Sequence, residues 1–260
     1  KKPTINLKTL IETHLKRIAP TMGYAIGQAN NHGTSEATAL FIGGLFLGGT
    51  QGGKWARKGR HWLENRARVL IEPDGTFSQY SVNYHRVMLD SYSFAKHWQQ
   101  HFDAFPFSET LLARMKQASE WLRQMTDPIT GDAPNLGAND GAQILSMTSC
   151  GYRDFRPSVQ LASALFLDRS AYPEGPWDQA LHWYNLKRPN TPAPPLPSIS
   201  FDKGGLHVLR KENAVAYLRY PRFRFRPSQA DALHCDLWVG GRNLLRDAGT
   251  FSYNCAPEDS

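Results

Sequence analysis

One segment divides the chain into two parts that obey different rules. Between Lys187 and Ser198 stand Pro189, Pro192, Pro194, Pro195 and Pro197. A stretch so rich in proline can neither continue a helix nor form a central strand, so it reads as an extended connector. Before it, apolar residues recur three or four apart. Leu7, Leu10, Ile11, Leu15 and Ile18 form one such stripe, and Leu111, Leu112, Met115, Ala118, Trp121, Leu122 and Met125 form another. This is the period of amphipathic helices. Further helices are expected at Ser35–Phe46, Lys54–Ile71, Asn83–His101, Pro157–Leu167 and Trp177–Tyr184.

After the connector the period falls to two. Gly205–Arg210 and Asn213–Tyr220 read as strands around a turn at Lys211-Glu212. Ala232–Val239 and Arg242–Leu245 flank Gly240-Gly241, a dipeptide suited to a hairpin. The alternation Phe223-Arg224-Phe225-Arg226 would put rings on one face and guanidinium groups on the other if it were a strand. The expected architecture is mostly α with an all-β C-terminal part: a helical domain over 1–186, a linker over 187–199 and antiparallel strands over 200–260. Four or five strands are few for a two-layer sandwich, so the sequence is expected to be a piece of a longer protein.

Composition narrows the class. The 260 residues are 41% hydrophobic and 12% aromatic, which suits a folded chain with a sizeable core and excludes intrinsic disorder. No run reaches the roughly 18 apolar residues of a membrane span; the longest candidate, Ala37–Leu47, is too short. Cys150, Cys235 and Cys255 make neither a disulfide framework nor a CxxC pair. The opening Lys1-Lys2-Pro3 lacks the apolar core of a secretory leader. The net charge of +7 points to an anionic partner, and no recognised nucleic-acid-binding motif accompanies it.

Three stretches carry chemistry. In Asn30-Asn31-His32-Gly33-Thr34-Ser35 a helix cap explains one residue but not two amides and an imidazole. A helix N-terminus also offers free N–H groups to a carboxylate. Asp74 to Arg86 runs from an Asp-Gly turn into a helix through Gln79, Tyr80, Tyr84, His85 and Arg86, which supply a proton donor, a base and a charge partner. The late block holds Gln229, Asp231, His234, Asp236 and, after Gly240-Gly241-Arg242-Asn243, Asp247. Four of these residues, Asp231, His234, Asp236 and Asp247, are of metal-ligating type.

Taken together, the order and spacing of these blocks resemble the heparinase II/III-like family of polysaccharide lyases, which includes alginate lyases. The matching stretches are the Asn31-His32 pair, Asp74-Gly75-Thr76-Phe77 with Tyr84-His85, Asn135 to Gly141, Asp154-Phe155-Arg156-Pro157, and the block from Ala230-Asp231 to Tyr253. The resemblance implies an incomplete (α/α) toroid followed by an antiparallel β-sandwich, here partial, and a periplasmic or secreted setting. It also implies β-elimination on a uronic-acid-containing anionic polysaccharide. Asn31 and His32 would neutralise the substrate carboxylate, and Tyr84 would protonate the departing oxygen and, in syn elimination, also take the C5 proton. Tyr80, His85, Arg86 and His234 would bind substrate. Arg57, Lys58, Arg60, Arg66 and Arg68 would attract it, and Trp55, Trp62 and Tyr80 would stack on sugar rings.

The sequence also departs from the family pattern. Pro227 and Gln229 stand where relatives carry a catalytic and a zinc-binding histidine. Asp247 matches a metal-ligand Asp, but Gln is a poor zinc ligand, so no certain cofactor follows. His234, five residues beyond Gln229, is the nearest substitute, on the opposite strand face. Two other functions fit the same architecture. One is a glycoside hydrolase using two of Asp74, Asp90, Asp140 and Asp154; the other is a non-catalytic glycan-binding or capsule-assembly protein.

Overall fold

A computed structural model describes residues 5–145, 147–227, 229 and 231–249. Its helices are α1 (Ile5–Gly27), α2 (Asn31–Leu47), α3 (Gly49–Leu70), α4 (Val82–His101), α5 (Glu109–Met125), α6 (Arg156–Leu167) and the short α7 (Gln179–Trp183). Strands β1 (Ile199–Phe201), β2 (Leu206–Lys211), β3 (Ala214–Arg219), β4 (Cys235–Val239) and β5 (Arg242–Leu245) follow. The chain is thus mostly α with an antiparallel β part at its C-terminal end. The block from Thr250 to Tyr253 lies outside the described residues.

Helices α2 and α4 are the inner pair. α2 packs against α1, α3 and α4, and α4 against α2, α5 and α6. Such placement requires helices apolar or neutral around most of their circumference. In α2 the buried set Thr34, Ala37, Thr38, Leu40, Phe41 and Gly44 spreads over several faces. The α2–α3 contact is closer than side chains allow. A Cβ at Gly44 would lie 2.4 Å from the Ala56 backbone nitrogen, and one at Gly59 2.4 Å from that of Phe41.

The apolar face of α1 forms as expected but is only partly covered. Leu15 is buried, but Leu10 is 55% exposed. The apolar stripe of α1 faces a groove of about 630 Å³ between α1, α2 and α4, lined by Leu10, Ile18, Ile42, Phe46, Phe94 and Trp98 among others. Periodicity identifies the apolar face but not what covers it.

The five strands form one sheet in the order β1-β2-β3-β4-β5, every neighbour antiparallel. Its inner face carries Leu206, Val208, Val215, Tyr217 and Trp238, which belong to the same buried cluster as Leu63, Leu89, Met115 and Leu122 of the helices. Sheet and helices therefore share one core. The Tyr217 hydroxyl donates to the Gln124 carbonyl at 3.0 Å. The Gly240-Gly241 turn forms as expected, both residues at positive φ (56° and 77°).

Three details depart from the sequence reading. β1 sits at the end of the stretch read as linker. The proline-rich connector is extended but pinned, since Arg123 donates to the Pro194 carbonyl (3.0 Å) and Gln124 to that of Pro197 (3.3 Å). Phe223 to Arg226 is not a strand, although its burial still alternates, with rings half-buried and guanidinium groups exposed.

Candidate active site

The two polar helix starts singled out in the sequence lie side by side. Asn30 caps α2 by accepting from the His32 backbone N–H at 3.0 Å. The adjoining turn is fastened to the segment before α4: the Asn31 N–H donates to Gln79 Oε1 (2.9 Å), and the Ser78 hydroxyl to the Ala29 carbonyl (2.9 Å). Gln79 is therefore the clamp between the two ends. Asn31 is half-buried and His32 exposed, both at the positive end of a helix. Glu36, one turn further along, is raised by burial, with the charge of His32 opposing.

α4 begins at Ser81, whose hydroxyl oxygen accepts from the Tyr84 N–H (3.1 Å) while its O–H donates to the Ala138 carbonyl (2.6 Å). The Val82 N–H donates to the Leu136 carbonyl at 3.1 Å. These bonds dock the 135–142 loop on the helix start. Half-buried Tyr84 donates its phenolic hydrogen to Asp140 of that loop.

Behind this pair lies a polar cluster that sequence reasoning missed. The buried Asn83 carbonyl oxygen accepts from Arg86 (2.8 Å) and lies 3.0 Å from the Tyr152 hydroxyl, which also reaches Asn139. Asn139 donates to Asn135 at 2.8 Å. Asn83, Asn139 and Tyr152 come from one helix turn and two loops, and no local pattern marks them as a group.

A second tie comes from the sheet. Buried Arg219 on β3 pairs with Asp231 at 2.7 Å and also reaches the Tyr80 carbonyl at 3.4 Å. The same Asp231 oxygen accepts from the Gly137 N–H at 3.0 Å. Tyr80 sits at φ 51°, and a Cβ at Gly137 would lie 2.4 Å from its carbonyl oxygen. The sheet thus holds both the turn before α4 and the loop beside it.

Several expected site residues lie elsewhere. His85 is 1% exposed; its ring stacks on Trp121 at 4.3 Å, and Nε2 lies 2.9 Å from the Ala118 carbonyl. Burial pushes it down to about 4, so it is a neutral core residue that presents nothing to substrate. Arg86 is equally buried, donating to the Tyr152 carbonyl (2.6 Å) and lying over the Phe155 ring. Tyr80 is buried too, and its hydroxyl accepts from the Arg224 and Phe225 N–H groups at 2.8 and 3.2 Å.

The other expected substrate contacts fare similarly. Trp55 belongs to the core, whereas Trp62 is half-buried. Arg66 is buried against the Ile26 carbonyl, Lys58 donates to that of Ala19, and Arg60 to those of Phe105 and Pro106. These three are structural cations.

The residues of metal-ligating type do not converge. Asp231 is occupied by Arg219 and Gly137, and Asp236 accepts from Trp238 at 2.5 Å and from Asn243. His234 lies 3.6 Å from Asp236. Asp247 accepts from the Gly249 N–H at 2.6 Å and acts through its charge on Arg219. Among the described residues no group of three His, Cys, Asp or Glu side chains could hold a metal. Among the described residues, Asp231, His234, Asp236 and Asp247 do not assemble a zinc site.

Residues 193–259 match the family model described as heparinase II/III-like, C-terminal. That match covers the end of the linker and the strands. Among solved structures, the heparan sulfate lyase HepC from Pedobacter heparinus superposes with a TM-score of 0.61 at 20% identity, over 88% of this chain and 34% of that one. A heparinase III gene product gives 0.64 at 19%, over 88% and 34%. A further heparinase III crystal structure gives 0.61 at 18%, over 93% and 38%. At such identities the likeness is one of fold. The chain spans little more than a third of the length of these structures. No curated protein matches it. Among the described residues no helix is long and apolar enough to cross a membrane.

Proposed function

We propose that this heparinase II/III-like chain carries the catalytic face of a polysaccharide lyase that cleaves a uronic-acid-containing glycan by β-elimination. The supporting observation is the clamp of Gln79 and Ser78, which sets the Asn31-His32 end of α2 beside the Tyr84 end of α4. The C5 hydrogen of a uronate is acidic only once the neighbouring carboxylate is neutralised, which is an oxyanion-type task. Asn31 and His32, with the N-terminal dipole of α2, supply donors for that carboxylate. The C5–H electron pair then becomes the C4=C5 double bond, and the C4–O bond breaks toward oxygen. Tyr84 supplies the proton that this oxygen needs. Tyr84 is also the base that takes the C5 proton and then passes it to that oxygen, which requires the C5 hydrogen and the leaving oxygen to share one face of the sugar.

Hydrolysis finds less support. Of the four carboxylates weighed for it, Asp90 is buried, Asp154 pairs with Arg156 at 2.8 Å, and Asp74 accepts from the Lys203 N–H. Only Asp140 stands at the Tyr84 face, and hydrolysis needs two.

The test is the ultraviolet absorbance of 4,5-unsaturated uronate on incubation with heparan sulfate and with alginate. Tyr84→Phe should abolish it, and Asn31→Ala or His32→Ala should lower it by about a hundredfold or more. Reducing ends without the chromophore would indicate hydrolysis. Salt-sensitive binding without turnover would indicate the non-catalytic reading.

A further inference from the structure

We infer that Arg66 is the positioning residue that lets the corner between α1 and α2 hold a carboxylate. It binds the negative end of α1 and so leaves the Asn31-His32 end of α2 with an uncancelled positive charge. Arg66 acts without touching substrate, and its role rests on the reading of Asn31 and His32 as the carboxylate-binding pair.

Two helix ends of opposite sign meet at this corner. α1 ends at Gly27 and α2 begins at Asn31, so only Gln28, Ala29 and Asn30 separate them. A Cβ at Gly33, in the first turn of α2, would lie 3.4 Å from the Ala25 carbonyl oxygen. A helix C-terminus carries about half a negative charge, as an N-terminus carries about half a positive one. Left alone, the end of α1 would offset much of what α2 offers a carboxylate.

Arg66 of α3 lies at the join. Its Nη1 donates to the Ile26 carbonyl at 3.2 Å, and its Cδ lies 3.2 Å from where a Gly33 Cβ would stand. Nε donates to Asn65 Oδ1 at 3.0 Å, as does Nη2, and the guanidinium carbon is 5.8 Å from the centre of the Trp62 ring. All of these partners are neutral. The other buried arginines are placed differently: Arg123 pairs with Glu120 at 2.9 Å, Arg219 with Asp231 at 2.7 Å, and Arg86 lies in the field of Asp90. Arg66 is 7% exposed and pairs with no carboxylate among the described residues. Buried charges are ordinarily paired, and a guanidinium cannot shed its proton instead. Glu36, the acid one turn beyond His32, is pushed up by burial, which favours its neutral form. The corner thus holds a fixed positive charge that no described carboxylate neutralises, and a carboxylate at Asn31 and His32 completes it.

Two variants separate charge from packing. Arg66→Gln removes the charge but keeps an amide donor for the Ile26 carbonyl, and Arg66→Lys keeps the charge. The probe is acetate, a bare carboxylate, titrated at fixed ionic strength and followed by NMR through the backbone amides of His32 and Gly33. Wild-type protein and Arg66→Lys should bind it with similar affinity, and Arg66→Gln about fivefold more weakly. Acetamide, which has the same shape without the charge, should shift these signals equally in all three proteins. Equal acetate affinity in folded Arg66→Gln, an equal loss in Arg66→Lys, or no acetate response in wild-type protein overturns the proposal. If the contrast holds and kcat/KM for a uronate polymer falls by a similar factor in Arg66→Gln, both readings stand. If the contrast holds and no uronate polymer is cleaved, the role of Arg66 stands and the lyase reading fails.

Discussion

The contact between sheet and helices at Arg219 and Asp231 invites a quantitative test. Their side chains are only 5% and 7% exposed at a separation of 2.7 Å. Asp231→Ala would leave the guanidinium with the Tyr80 carbonyl at 3.4 Å and would remove the acceptor of the Gly137 N–H. Breaking one side of a buried ion pair costs about 3–5 kcal/mol, because a charge stays buried without its partner. The nearby charge of Asp247 offsets part of this, so the lower end, about 3 kcal/mol, is expected. For a chain of this size that corresponds to a fall in Tm of roughly 6–12 °C. Urea denaturation and calorimetry measure both. Arg219→Met in the Asp231→Ala background should recover about half of the loss or more, since it removes the stranded charge. A single-variant loss under about 1 kcal/mol, or strictly additive losses, would refute the view that this pair clasps the two parts.

Two buried groups on α4 predict opposite pH slopes. His85, held down to about 4 by burial, stays neutral while the unfolded chain takes up a proton, so its contribution to stability falls as pH drops from about 6.5 to about 4. Asp90, raised to about 7 by burial, keeps a proton that the unfolded chain releases, so its contribution falls as pH rises from about 4 to about 7. At its limit His85 is worth about 3 kcal/mol and Asp90 about 4 kcal/mol, and the two slopes largely offset. Thermal melts across that window should slope downward with pH for His85→Gln and upward for Asp90→Asn, and parallel slopes would count against the assignment. Gly59→Ala should cost about 1–3 kcal/mol despite the better helix propensity of Ala, because its Cβ would meet the Phe41 backbone at 2.4 Å; an unchanged Tm would show that the α2–α3 contact has slack.

The helices were legible because their signals are local. Ser108 caps α5 by a side-chain bond to the Leu111 N–H, and the Asp127-Pro128 pair follows where that helix stops. The turn at Gly240-Gly241 was legible for the same reason. β1 was not, because three residues after a proline run show no period. The candidate site was legible in part. Asn31, His32 and Tyr84 sit at helix starts that Gln79 brings together, but His85 and Arg86 were read as companions of Tyr84 from adjacency alone. Successive helix residues are about 100° apart, and that rotation carries both side chains into the interior. Asp140 lies 56 positions beyond Tyr84, and only the docking of its loop on Ser81 brings it there.

The glycine contact between α2 and α3 gives α2 the properties of a lever. Backbone meets backbone from Ala37 to Gly44, a fulcrum about 10 Å long with no compressible side-chain layer, and Asn31 lies about 9 Å beyond it. Opening one end of that contact by about 1 Å would tilt the axis by several degrees and carry Asn31 sideways by a similar distance. Displacements of that size are enough to cost a reaction about a hundredfold. Residues that possess no side chain thus belong to the calibration of the proposed carboxylate-binding end.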